Sequence, residues 1–91
     1  MSQVEELIDE EVVSTTNNWG IVVFNDLHNS FDWVIESFVT VLKQGTVQAE
    51  QNATIIHHKG KARVKTGTFE DLQPLERALS FRGLETELTE C

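Results

Sequence analysis

The apolar positions of the chain fall into groups with two different periods. Trp19–Phe24 (WGIVVF) is a short β-branched and aromatic run, the pattern of a buried strand. Phe31, Val34, Ile35, Phe38, Val41 and Leu42 then recur at steps of three and four, which predicts an amphipathic helix with a wide apolar face. Ser30 is placed to cap its start, Asp32 and Glu36 lie near the positive end of its dipole, and Gly45 is the expected stop. Thr46 is the expected cap of a second helix running to about Ile56, with Ala49, Ala53 and Ile56 on one face and Gly60 closing it. Residues 61–66 alternate as a strand, and residues 68–81 carry Phe69, Leu72, Leu75 and Leu79 at helical spacing. Pro74 either kinks that third helix or marks its true first turn. Residues 84–89 read as a last strand. The order is βααβαβ without an internal repeat. It predicts an α+β fold in which three helices pack on a small, mainly antiparallel, three-stranded sheet.

Residues 1–18 stand outside this pattern. The first fourteen hold Glu5, Glu6, Asp9, Glu10 and Glu11 and no Lys or Arg, and residues 14–18 (STTNN) are wholly polar. Dense like charge disfavours packing, so the expected organisation is a flexible acidic extension over 1–18 and one core domain over 19–91. Val4, Leu7, Ile8 and Val12 recur at helical spacing, so a short frayed helix is the alternative there.

Composition narrows the function classes. Seven basic against fifteen acidic residues give a formal charge of −8 over 91 residues. That balance argues against nucleic acid and against an anionic membrane surface, both of which call for a basic face. No apolar stretch approaches the roughly 20 residues of a membrane span. The N-terminus has no basic flank followed by an apolar segment, so secretion is not expected. Cys91 is the only cysteine, which leaves no internal disulfide and fits a reducing cytosol.

The chemistry-bearing positions are few. Asn25 and Asp26 break the apolar pattern between the first strand and the first helix. Such a pair satisfies loop backbone groups in an Asx-type turn, or it offers acceptors to a cation rich in N–H donors. His57 and His58 end the second helix, point in different directions and lack the further ligands zinc needs, so no metal site is expected. Lys59, Lys61, Arg63 and Lys65 alternate; over the strand they share a face opposite Ala62 and Val64. That face is either a solvated, charge-protected edge or a docking stripe for an acidic partner or for the chain's own acidic tail. No nucleophile elbow, phosphate-binding glycine loop or CxxC is present, so neither enzyme activity nor a cofactor is expected. The residues alone lead to a small interaction domain.

Taken together, the segments VVFND, FDWVIESF, AEQNATIIHHKGKA and LETEL resemble the ClpS family of Clp protease adaptors over about residues 19–89. Asn25-Asp26 matches the family's Asn-Asp pair, and residues 57–62 (HHKGKA) match its His-x-x-Gly-x-Ala stretch. The resemblance implies a non-enzymatic, cytoplasmic, bacterial adaptor, expected to be monomeric. It would bind proteins with an N-terminal Phe, Leu, Trp or Tyr and hand them to a ClpA- or ClpC-type AAA+ unfoldase by docking on the unfoldase's N-terminal domain. It implies that Asn25 and a neutral His57 accept from the substrate's α-amine, with Asp26 supplying negative charge nearby or through water. It further implies a pocket with Phe31 at the entrance, where the family carries Met, Val34, Ala53, Ile56 and Leu84 in the walls, and Asn29 at the rim. The acidic extension would engage the unfoldase pore during transfer.

The chain also departs from the family pattern. Leu27 stands where a second Asp is common, Ala53 where a larger residue is common, and the third helix is short and contains Pro74. The alternative within the same architecture is an interaction domain with a different partner, similar to the C-terminal domain of the ribosomal stalk protein. A small His-dependent hydrolase is the remote one.

Overall fold

The computed structural model describes residues 18–90. The expected acidic extension, apart from Asn18, lies outside the described residues. Strand β1 (Trp19–Phe24) is followed by helices α1 (Phe31–Leu42) and α2 (Thr46–Lys59), strand β2 (Lys61–Gly67), helix α3 (Phe69–Phe81) and strand β3 (Glu85–Glu90). The sheet order is β2-β1-β3, with β1 antiparallel to both neighbours. The βααβαβ order and the α+β class are those the periodicity predicts.

The central place of β1 explains its unbroken apolar run. Ile21 and Val23 are buried against the helices, while Val22 and Phe24 are half-covered on the opposite face. The core gathers Ile21, Val23, Phe38, Leu42, Ile56, Val64, Leu72, Leu79 and Leu84 from every element or its flank. Trp19 packs edge-on against Phe69 with ring centroids 4.9 Å apart, joining the start of β1 to the start of α3. No helix of the described residues is long and apolar enough to cross a membrane.

The helix ends follow local chemistry, with one difference from expectation. Ser30 caps α1, its Oγ accepting from the Trp33 N–H at 3.1 Å, and Thr68 caps α3 through the Asp71 N–H at 3.1 Å. Gly45 does not end α1. Lys43 takes the left-handed turn at φ 60°, its N–H bonding to the Phe38 carbonyl, and Gly45 instead precedes α2 as an extended cap with Thr46 already helical. The side chain of Gln44 decides this: its Nε2 donates to the Val64 carbonyl at 2.8 Å and ties the turn to β2. Pro74 lies inside α3, five residues beyond its start, so it does not mark the first turn. It has no N–H to offer the Glu70 carbonyl one turn earlier, which lies at an exposed position.

The alternation expected over β2 is broken. Ile21 pairs with Lys65 and Val22 with Arg63, so Val64 is an extra, unpaired residue in the ladder. Lys61 and Arg63 are exposed, Val64 is buried, and beyond the irregularity Lys65 is half-buried. Lys59 belongs to α2. The four cations therefore do not form one stripe.

Candidate functional site

The polar break after β1 becomes a loop that is bonded to the rest of the fold at several points. The Asn25 N–H donates to the Gly60 carbonyl at 2.8 Å. Gly60 ends α2 in the left-handed region at φ 94°, a conformation that favours glycine, and its own N–H returns to the Ile56 carbonyl at 2.9 Å. This link explains the spacing of the two motifs. His57 sits three residues before Gly60, so the backbone bond that anchors Asn25 also brings His57 beside it.

Asp26 shapes the loop from inside. Its Oδ1 accepts from the His28 and Asn29 N–H groups at 2.8 and 2.9 Å, and the Asn29 amide reaches both carboxylate oxygens at 3.1 and 2.9 Å. Burial pushes the Asp26 carboxyl up, but the Asn29 side chain, the two backbone donors and the nearby His28 imidazole outweigh it and hold the group below its ordinary value. The Asn29 amide also donates to the Gly83 carbonyl at 2.9 Å, tying the loop to the α3–β3 turn. The side chains of Asn25 and His57, by contrast, make no hydrogen bond to any described residue, and both are exposed.

These groups line one cleft of about 280 Å³, formed by Asn25, Asp26, Leu27, Asn29, Phe31, Val34, Ala53, Ile56 and His57. Every residue that the resemblance assigns to the amine site or the pocket lines it except Leu84. Leu84 is 4% exposed in the core, with its N–H on the Leu79 carbonyl at 3.2 Å, held there by the turn that ends α3. The cleft is polar at the Asn25–Asp26–His57 end and apolar where Val34, Ala53 and Ile56 meet, with Phe31 42% exposed at its edge. The His57 and His58 rings meet edge to face with centroids 5.2 Å apart. Among the described residues no three His, Cys, Asp or Glu side chains converge as a metal-ligand set.

The sequence marks Leu27 only as a departure from the family pattern, and it does not single out Ser37. Leu27 is a lining residue and is 98% exposed, an apolar side chain presented to solvent at the mouth. Behind the cleft, Ser37 is fully buried; it donates to the Trp33 carbonyl at 2.8 Å and accepts from Arg82 Nε at 2.9 Å. The Arg82 guanidinium lies 4.2 Å from the Trp33 ring centroid, and the Trp33 indole N–H donates to the Arg82 carbonyl at 3.0 Å. Ser37 falls beside Val34 and Val41 on the helical wheel, a signal that a buried polar partner exists, but nothing local names Arg82.

The family model described as ATP-dependent Clp protease adaptor protein ClpS matches residues 14–83, a span that includes every lining residue of the cleft. No curated protein matches the chain. The match, the element order and the joining of the Asn-Asp and His-x-x-Gly motifs by one backbone bond all agree: the chain belongs to the ClpS family of ATP-dependent Clp protease adaptors, non-enzymatic proteins that deliver N-degron substrates to the Clp protease.

Proposed function

We propose that the cleft between β1, α1 and α2 holds the first residue of the substrate. Asn25 and His57 accept from the α-amine, Asp26 supplies a fixed negative charge, and the side chain enters between Phe31, Val34, Ala53 and Ile56. The observation that carries this reading is the junction, in about 280 Å³, of an apolar floor with two acceptors that no described residue engages. A free α-amine has a reference pKa of about 7.7–8.0, so it is largely protonated at neutral pH and brings three donors. Desolvating it is costly unless those donors find partners. Burying a Phe or Leu side chain contributes about 1.5–3 kcal/mol, before the cost of association is deducted. The volume falls just below that of ordinary small-ligand clefts, about 300–1,000 Å³, which suits one large side chain better than a length of peptide.

Asn29 acts as a positioning residue, holding Asp26 and the rim rather than meeting the substrate. The finer partners follow the same reading: N-terminal Phe, Leu, Trp or Tyr as ligands, a ClpA- or ClpC-type N-terminal domain as the docking surface, and a monomeric adaptor. Residues 1–18 form the extension used in transfer, and 19–91 form the binding core.

Fluorescence anisotropy with labelled peptides beginning in Phe or Leu tests the site. Binding is expected for the free amine and loss of at least about tenfold on N-acetylation, since a charged hydrogen-bonding group is removed. Asn25→Ala and His57→Ala should each weaken binding by roughly tenfold with the circular dichroism spectrum unchanged. Equal binding of acetylated peptide would sink the amine-recognition reading.

A further inference from the structure

Although the cations of β2 form no single stripe, some of them meet a cation of the α1–α2 turn at one cleft. Of the chain's seven Lys and Arg, three (Lys43, Arg63 and Lys65) line this second cleft of about 420 Å³ on edge strand β2, with Gln44, Gln48 and Thr66 beside them. Among the described residues no carboxylate lines this cleft, and the ion pair found among them, Arg82 with Glu36, lies elsewhere. The arrangement is fixed by the backbone. The extra residue at Val64 leaves its carbonyl to Gln44, whose Oε1 in turn accepts from Asn52 at 3.1 Å, closing the α1–α2 turn onto β2. The Arg63 stem crosses Gly20 so closely that a Cβ there would lie 2.7 Å from Arg63 Cδ. Three like charges lining one cleft, with Glu87 of β3 only on the far side of Arg63, favour an anionic occupant.

The cleft opens where the chain joins the fold. Trp19 pairs with Gly67 and Gly20 with Thr66, so the chain enters β1 beside Gly67, one residue beyond the Thr66 that lines the cleft. The nearest carboxylates upstream are Glu11, Glu10 and Asp9, with Glu6 and Glu5 before them and no Lys or Arg among the first fourteen residues. From Trp19 back to Glu11 the chain can span about 25 Å when extended, ample to return to a neighbouring cleft. Tethering of this kind sets an effective concentration in the millimolar range, so weak charge pairing suffices.

We propose that the acidic segment of residues 5–11 pairs with the basic cleft of Lys43, Arg63 and Lys65, storing the extension on its own core. Phe31 lines the first cleft and Leu42 the second, so the two sit at opposite ends of α1, about 16 Å apart along its axis. The stored segment therefore leaves the substrate cleft open, and salt or a competing polyanion releases it.

Paramagnetic relaxation in the full chain tests this, with a nitroxide on Gln3→Cys in a Cys91→Ser background. At about 0.01 M ionic strength, where the screening length is about 30 Å, the amides of Gln44, Gln48 and Thr66 should lose intensity while those of Asn25 and His57 keep it. The loss should vanish at about 1 M salt, where the length is about 3 Å. It should also vanish when Glu5, Glu6, Asp9, Glu10 and Glu11 are changed to Gln or Asn, substitutions outside the core, and in Lys43→Gln/Arg63→Gln/Lys65→Gln. Absence of the effect at low salt, its persistence at high salt, or its appearance between labelled and unlabelled copies in a mixture would each overturn the proposal.

Discussion

Replacing Asn29 by Ala removes one side chain that ties two parts of the fold together, and its cost can be worked from the bonds lost. The Asn29 amide reaches both oxygens of the Asp26 carboxylate and, separately, the Gly83 carbonyl. A hydrogen bond to a charged group is worth about 1.5–3 kcal/mol and a neutral one about 0.5–1.5 kcal/mol. These groups are only partly buried, so water replaces some of what is lost and the low ends apply, about 2 kcal/mol in all. A domain of this size has roughly 5–10 kcal/mol of stability, so Asn29→Ala should still fold. With an m-value near 1 kcal/mol/M, its urea midpoint should fall by roughly 2 M.

The same change carries a signature in pH. The Asn29 side chain is foremost among the groups that hold Asp26 below its ordinary value against the opposing effect of burial, so its removal should move the carboxyl back up. A depressed carboxyl contributes stability that is full above the unfolded pKa of about 3.9 and is lost as pH falls through the lower, folded value. The gap between wild type and Asn29→Ala should therefore be widest at neutral pH and narrow below about pH 4. Urea titrations at both pH values, with the Asp26 carboxyl followed by carbon NMR, measure it. A gap of equal size at both, with an unmoved Asp26, would refute the charge-assisted reading of this bond.

Three other changes probe different parts of the molecule. Ala53→Leu adds methylene bulk inside the cleft proposed to hold the substrate and should weaken binding of peptides beginning in Phe by at least about tenfold, seen by anisotropy, with core overpacking costing about 1–3 kcal/mol. Ser37→Ala leaves Arg82 Nε without its buried acceptor and should cost about 1–3 kcal/mol in urea denaturation. Lys43→Gly relieves a non-glycine residue held at φ 60°; against the extra chain entropy of glycine, the expected net gain is up to about 1 kcal/mol by thermal melting.

The elements were legible because their periods are strong: the three-and-four spacing of α1 and the β-branched run of β1 each admit one reading. What escaped was set by contacts across the fold. Gly45 looked like the stop of α1 because glycine favours the left-handed turn, yet Gln44 on the Val64 carbonyl places that turn at Lys43. The extra residue at Val64 has no local signature, since KARVK alternates as well as any strand, and it scatters a stripe that the sequence alone would draw straight. Leu84 was a wall position by resemblance to the family alone, while the end of α3 draws it into the core. In the cleft, Asn25 and His57 were visible as polar residues flanking apolar elements; the Trp33–Ser37–Arg82 cluster behind them joins residues 45 positions apart, beyond any spacing rule.

The Asn-Asp pair looked like a choice between a turn and a binding site, but the loop bonds of Asp26 and the place of both residues in the cleft lining are compatible with each other. A loop between two buried elements has backbone N–H groups to satisfy, and Asp26 does so with one oxygen for two of them. That work leaves its charge in place but occupies Oδ1, with Oδ2 holding the Asn29 amide. Asn25 is relieved of the same duty because its own N–H is taken by Gly60, and its side chain projects unengaged. Exchanging the two residues would put a carboxylate at the exposed position and a weaker acceptor inside the loop, losing the charge-assisted bonds to Asn29. The order Asn then Asp is therefore what lets the loop be rigid and still leave an acceptor facing the cleft.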